Sequence, residues 1–206
     1  MKKSEKTRQL IIEKAAALFN QKGFAGTSMQ DIMDATNMSK GGIYGNFKKG
    51  GRTKEGVKQE IALAAFAHSV REINEEIGRR TRIIDNCVDK LKAVIYFYKE
   101  RMFDMPIEGG CPIMNTSIEA DDNNPILKEK VVYALDAWND RLIHTIKKGI
   151  KRKEIKASTD AKEFAILFIG MIEGGIMMAR LKDDVGYFNA MAKQLLCIIE
   201  SLRSQY

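Results

Sequence analysis

The sequence predicts an all-α protein of about nine helices, with a small N-terminal three-helix unit followed by a larger helical bundle. Three observations carry this. Apolar residues recur at i, i+3, i+4 and i+7 in segment after segment, and no segment alternates with the period of two that a strand requires. The three prolines stand only at Pro106, Pro112 and Pro125, so long helices are undisturbed on both sides. The chain of 206 residues, 45% apolar and 30% charged, is long and apolar enough for a core without disulfide staples, which excludes collagenous, low-complexity and largely disordered classes.

The elements follow in order. The first helix is expected from Ser4, a suitable N-cap, to about Lys22, with Ile11, Ala15, Leu18 and Phe19 at helical spacing. Gly23 supplies a left-handed stop, and Phe24 is placed to pack back. Thr27 with Gln30 matches a capping box, and Ser28 serves if the start shifts by one. A short helix then runs to Ala35, with Met29, Ile32 and Ala35 on one side. Thr36-Asn37-Met38 makes a polar turn, and Ser39 caps a second short helix, Lys40 to about Phe47, with Ile43 and Phe47 inward. Further helices are expected from Thr53 to about Gly78, Thr81 to Met105 and Pro112 to Ala120. Another begins at Pro125, the favoured helix position for proline, and carries Val131, Leu135, Trp138, Leu142 and Ile146 inward to near Lys153. The last two span Asp160 to Leu181 and about Tyr187 to Ser204.

The net charge of +7 is uneven: residues 1–60 carry twelve Lys/Arg against six Asp/Glu, whereas the remainder is nearly balanced. Between Lys40 and Lys58 stand six bases and one acid, a local field that attracts polyanions. Two short helices joined by a tight turn over a leading helix describe a helix-turn-helix unit. The second of them opens on Ser39-Lys40-Gly41-Gly42, whose glycines leave bare backbone for close approach. Charge and motif converge on one stretch and point to nucleic-acid binding.

The runs from Gly23 to Ile32 (GFAGTSMQDI) and from Met38 to Lys48 (MSKGGIYGNFK) closely resemble the DNA-binding domain of TetR-family transcriptional regulators. The stretch Gly109 to Pro125 (GGCPIMNTSIEADDNNP) is similar to a segment in the ligand-binding domain of one branch of that family. The resemblance implies a DNA-binding domain over residues 1–52 and a ligand-binding and dimerisation domain over residues 53–206. It also implies that Thr27, Ser28, Ser39, Tyr44 and Lys48 hold the sugar-phosphate backbone, which sets register and does not read bases. Lys40 and Asn46 are polar residues on the outer face, and the amides of Gly41 and Gly42 are positioned to meet a phosphate. One departure stands out: Lys48-Lys49-Gly50-Gly51-Arg52 makes this loop roughly four residues longer than the family pattern. Either Lys49 or Lys54 then takes the place of the family's phosphate-contacting lysine.

No enzyme chemistry is nominated. The two histidines, His68 and His144, belong to no metal-ligand motif, and Glu119, Asp121 and Asp122 lack the spacing of a calcium loop. The three cysteines form no C-x-x-C pair, and no phosphate-binding or dinucleotide fingerprint occurs, so neither metal nor cofactor is expected. The charged N-terminus leads into an amphipathic segment and not a signal peptide. The apolar run from Phe164 to Leu181 contains Glu173 and Arg180, so a buried helix is expected there and a cytoplasmic protein overall.

For a small, largely apolar effector the candidate walls are Phe97, Tyr98, Met102, Cys111, Met114, Trp138 and Met171, around the break between Pro106 and Pro112. Two readings of Cys111 stay open, a reactive thiol at a helix N-terminus and inert packing; the methionines serve equally as core filler or as an adaptable pocket. The expected function is a ligand-responsive, sequence-specific regulator. In this reading it is a homodimeric repressor, paired through its last two helices on a palindromic operator in double-stranded DNA and released by the effector. The alternative is a helical interaction protein whose basic end serves RNA or another acidic partner.

Overall fold

The computed structural model describes residues 3–47 and 53–204. Among these residues it has nine α-helices: α1 (Lys3–Gly26), α2 (Met29–Thr36), α3 (Lys40–Tyr44), α4 (Lys54–Thr81), α5 (Cys87–Arg101), α6 (Pro112–Asn123), α7 (Pro125–Lys151), α8 (Ala161–Lys182) and α9 (Val185–Ser201). The only extended pairing among them is a single bridge between Ile155 and Arg203. The all-α fold with an N-terminal helix-turn-helix is therefore as the periodicity predicts.

The chain packs as two units. The first comprises the residues up to Ile73 with Pro106–Val132, and the second Asn74–Met105 with Tyr133 to the C-terminus. The core of the first joins Ile11 and Ala15 of α1, Ile32 of α2, Ile43 of α3 and Ile61 of α4 with Phe47, all buried. Short helices such as α2 and α3 are not stable alone, so this shared apolar cluster is what holds them. In the second unit α8 and α9 pack along each other, and Phe168 and Ile172 of α8 and Phe188 and Leu195 of α9 are buried. At Gly175 the approach is close: a Cβ there would lie 2.9 Å from the Phe188 ring. Arg152 holds Asp85 through two hydrogen bonds of 2.9 and 2.5 Å, and Arg203 spans Asp89 and Glu200, tying α9 to α5.

Several boundaries differ from the sequence reading, each for a local reason. Lys3 and Ser4 are already helical, so Ser4 is not the cap of α1. Gly23 breaks α1 at φ 73° and ψ 175°, but one further turn carries it to Gly26. The α2 cap is Ser28 with Asp31, and not Thr27 with Gln30. Ala35 is exposed, and Thr36 takes the inward place, its hydroxyl donating to the Ile32 carbonyl at 2.7 Å. α5 starts at Cys87, because the Asn86 side chain accepts the amides of Val88 and Asp89. On α7 Leu135 is 38% exposed, and Ala134 fills its inward place.

Candidate nucleic-acid interface

Ser28 opens α2 with a reciprocal capping box. The Asp31 amide donates to the Ser28 hydroxyl at 3.0 Å, and the Ser28 amide donates to the Asp31 carboxylate at 2.8 Å. Lys22 donates to the same carboxylate at 2.6 Å. The Lys22 bond, followed by those from Ser28, holds the Asp31 carboxyl well below the usual carboxylate range. Asn37 then adopts a left-handed conformation (φ 52°, ψ 40°), which ends α2 and sends the chain through the turn. Ser39 begins α3 by accepting the Gly42 amide at 3.3 Å.

The exposed face of α3 is short and bare. Gly41 is exposed, and a Cβ added to it would meet nothing within 4 Å, so a flat surface has clear access to the backbone there. Lys40 is exposed, its ammonium 5.4 Å from the centre of the half-buried Tyr44 ring. Asn46 donates through Nδ2 to the Gly42 carbonyl at 2.7 Å, which fixes the end of α3. Behind this face Ile43 and Phe47 are sealed into the core, with the Arg8 guanidinium 4.7 Å over the Phe47 ring. Ser28, Ser39, Lys40, Gly41, Gly42, Tyr44 and Asn46 thus gather on α2, the turn and α3. Lys48, together with the longer loop, lies outside the described residues.

Thr27 departs from its expected role. It is fully buried, and its hydroxyl donates to the carbonyls of Gly23 (2.8 Å) and Leu18 (3.2 Å). Its side chain ties α1 to the start of α2 and has no outward face to offer a phosphate. Gly42 is likewise occupied on its amide by Ser39. Sequence reading also missed Lys22, whose pairing with Asp31 joins residues nine apart across the Gly23 break.

The expected effector residues divide between the units: Cys111 and Met114 belong to the first, and Phe97, Tyr98, Met102, Trp138 and Met171 to the second. Phe97 and Tyr98 pack edge to face at 5.0 Å, and Tyr98 lies 6.2 Å from Trp138, an aromatic cluster of α5 and α7 that is buried throughout. Met102 and Cys111 are buried, whereas Met114 and Met171 are half-buried. In the first unit a cavity of about 20 Å³ beside Phe19, Phe24, Pro112 and Glu119 has room for one water and not for an effector. Among the described residues no three His, Cys, Asp or Glu side chains gather as a metal site requires.

Residues 11–50 match the family described as bacterial regulatory proteins, tetR family, and residues 87–195 match the tetracyclin repressor-like C-terminal domain. A TetR transcriptional regulator from Chloroflexus aurantiacus is 35% identical, with a TM-score of 0.91 and 100% of both chains covered. An uncharacterized HTH-type transcriptional regulator of Mycobacterium tuberculosis is 27% identical over 195 residues, 91% of each chain. The fold is also that of the TetR family regulator CifR, solved in complex with a 26-bp double-strand operator DNA (TM-score 0.73, 15% identity, 94% and 93% of the chains covered). With a C-terminal match over more than half its length and an N-terminal one over the helix-turn-helix, the chain belongs to the TetR family of transcriptional regulators, whose members are DNA-binding regulators and not enzymes.

Proposed function

We propose that the protein is a ligand-responsive repressor that binds a palindromic operator through residues 1–52. Residues 53–206 form the effector-binding and dimerisation domain, and the protein acts in the cytoplasm. The observation that carries the reading is the open face of α3, where exposed Lys40 and the uncovered Gly41 backbone open a stretch, residues 40–58, of six bases against one acid. A helix presented in this way fits the major groove, with Ser28, Ser39, Tyr44 and Lys48 on the flanking phosphates.

Dimerisation is supported by α8. Ile166 (67% exposed), Leu167, Met177 and Leu181 (78%) form an apolar stripe along it. Gly170 and Gly174 lie in the same stripe, and a Cβ on either would meet nothing within 4 Å, so a second helix has room to approach. Such a continuous exposed apolar face on a soluble protein marks an association surface. On a palindromic operator the two recognition helices of a two-fold pair lie about 34–36 Å apart, one turn of DNA.

The test is a salt titration of duplex binding. Lys48→Ala is expected to weaken all duplexes alike and to lower the salt slope by about 0.9, one phosphate contact. Lys40→Ala is expected to lower affinity and also to blur sequence preference. Unchanged binding in both variants contradicts the assignment, and tighter binding to single-stranded RNA than to duplex favours an RNA-binding protein instead.

A further inference from the structure

A second run of positive charge stands in the second unit, apart from the helix-turn-helix. Residues 147–156 hold six bases against one acid within ten positions, whereas residues 40–58 spread the same balance over nineteen. Lys147, Lys148, Lys151, Lys153 and Lys156 are all exposed, and among the described residues none of the five is paired with a carboxylate. The single acid is turned inward. Glu154 accepts the Cys87 amide at 2.7 Å and the Arg152 guanidinium at 2.9 Å, and Arg152 also holds Asp85. Asp85 is kept below the usual carboxylate range first by Arg152 and then by the charges of Lys148 and Lys90, so Lys90 of α5 adds to the same field.

The backbone that carries these lysines is fastened on both sides. At the end of α7 the Lys153 amide donates to the Ile150 carbonyl (3.0 Å) and the Glu154 amide to that of Gly149 (2.9 Å), a turn that holds Lys153 in the left-handed region at φ 58°. Glycine is the ordinary occupant of such a place, because a Cβ is disfavoured there. Asn37 and Asp183, the other described non-glycine residues at positive φ, have short polar side chains that tolerate it. Lysine has none, so a charge is kept here at a conformational cost. Beyond it, buried Ile155 pairs with Arg203, the Lys156 amide donates to the Leu202 carbonyl at 2.8 Å, and the Ser204 amide donates to the Glu154 carbonyl at 3.0 Å. The lysines stand on a frame tied to the end of α9.

Within the run Ile155 is buried and Ile150 half-buried, so the charge lacks the exposed apolar face that insertion into a lipid surface uses. Lysines are point charges without the planar fork of arginine, and the one arginine of the run is occupied by Asp85 and Glu154. Such a set suits a track of phosphates better than a single bidentate ligand. We propose that the end of α7 is a second polyanion surface, which takes the sugar-phosphate backbone of a further duplex segment without reading its sequence, so that one protein joins two stretches of DNA. The surface stands on its own observations; only the joining rests on reading α2 and α3 as the DNA-binding element. A protein already held on duplex meets further duplex at raised effective concentration, which suits weak contacts of this kind.

The experiment loads full-length protein on an immobilised duplex enriched from a random pool, washes it, and offers a labelled duplex of unrelated sequence at about 50 mM salt. The wild type is expected to capture the second duplex. The triple variant Lys148→Ala, Lys151→Ala, Lys153→Ala is expected to capture at least about tenfold less, with a salt slope lower by about 2.7, three phosphate contacts. Its affinity for the selected duplex is expected to be unchanged. Lys153→Gly removes one charge while relieving the backbone, and is expected to melt higher than the wild type yet to capture less. No capture by the wild type, equal capture by the triple variant, or loss of the selected duplex in that variant overturns the proposal. Binding of the wild type to phosphatidylserine vesicles without capture of the second duplex assigns the surface to lipid and equally overturns it. If the wild type does not stay on the immobilised duplex, the DNA-binding reading of α2 and α3 fails, and acetylation footprinting with the unrelated duplex in solution decides the surface. Protection of Lys148, Lys151 and Lys153 then supports it, and full reactivity overturns it.

Discussion

Replacing Ile43 by alanine removes the apolar anchor of the recognition helix without touching its outer face. Ile43 is 0% exposed and lies in the cluster formed with Ile11, Ile32 and Phe47. The three carbon groups lost are worth about 2.4 kcal/mol at roughly 0.8 kcal/mol each, and the cavity left behind raises the cost toward the upper end of the about 2–5 kcal/mol that such truncations carry. The transfer figure of about 2.4 kcal/mol alone shifts a folding equilibrium roughly sixty-fold. The damage is expected to concentrate in α3, because a five-residue helix with two glycines in it has little stability of its own. Urea denaturation followed by circular dichroism reads the global cost, and amide exchange over residues 40–46 reads the local one. Duplex affinity is expected to fall although Lys40, Asn46 and Lys48 are all retained. A midpoint equivalent to less than about 0.5 kcal/mol of destabilisation, or undiminished affinity, refutes the view that core packing builds the interface.

Three further outcomes follow from named groups. The Asp31 carboxyl is held low in the folded state by Lys22 and Ser28, so its contribution is present at neutral pH and lost as pH falls below the ordinary carboxylate range. Asp31→Asn is expected to flatten the acid limb of a urea midpoint-versus-pH curve, and Ser28→Ala to cost about 1 kcal/mol at pH 7; an acid limb as steep as wild type would contradict this. Burial, then Glu154, pushes the Cys87 thiol up to about 11, while Cys197 is exposed. Alkylation read by mass spectrometry is therefore expected to label Cys197 well before Cys87, and a Cys111 no faster than an ordinary thiol leaves it as packing and not a sensor. Ile166→Lys with Met177→Lys, both at exposed positions, is expected to give monomers by light scattering; a monomeric wild type at micromolar concentration, or a dimeric double variant, counts against pairing through α8.

The fold was legible because helical spacing records burial directly. Leu91, Val94, Ile95 and Tyr98 repeat at i, i+3, i+4 and i+7, and all four are buried. Boundaries were less legible where two neighbours offer the same chemistry. Thr27 and Ser28 both carry a cap hydroxyl, and only the buried bonds of Thr27 to Gly23 and Leu18 decide between them. Leu135 and Ala134 compete for one inward position, and helix phase settles it against the larger residue. The hydrogen bonding of Asn115 and Glu119 to α1 is a property of tertiary packing, since it joins residues 95 apart. Its one local trace is Gly23, whose left-handed conformation is readable as a helix stop, while the residues that meet the freed amides are not.

The central claim, that the basic helix-turn-helix reads duplex sequence as a symmetric pair, is tested most directly by selecting bound duplexes from a random pool at physiological salt. The account predicts enrichment of a palindrome whose half-site centres lie about 10–10.5 base pairs, or a multiple of one helical turn, apart, and blurring of that motif in Lys40→Ala. Binding without enrichment, equally tight on every sequence and abolished by salt, would contradict it.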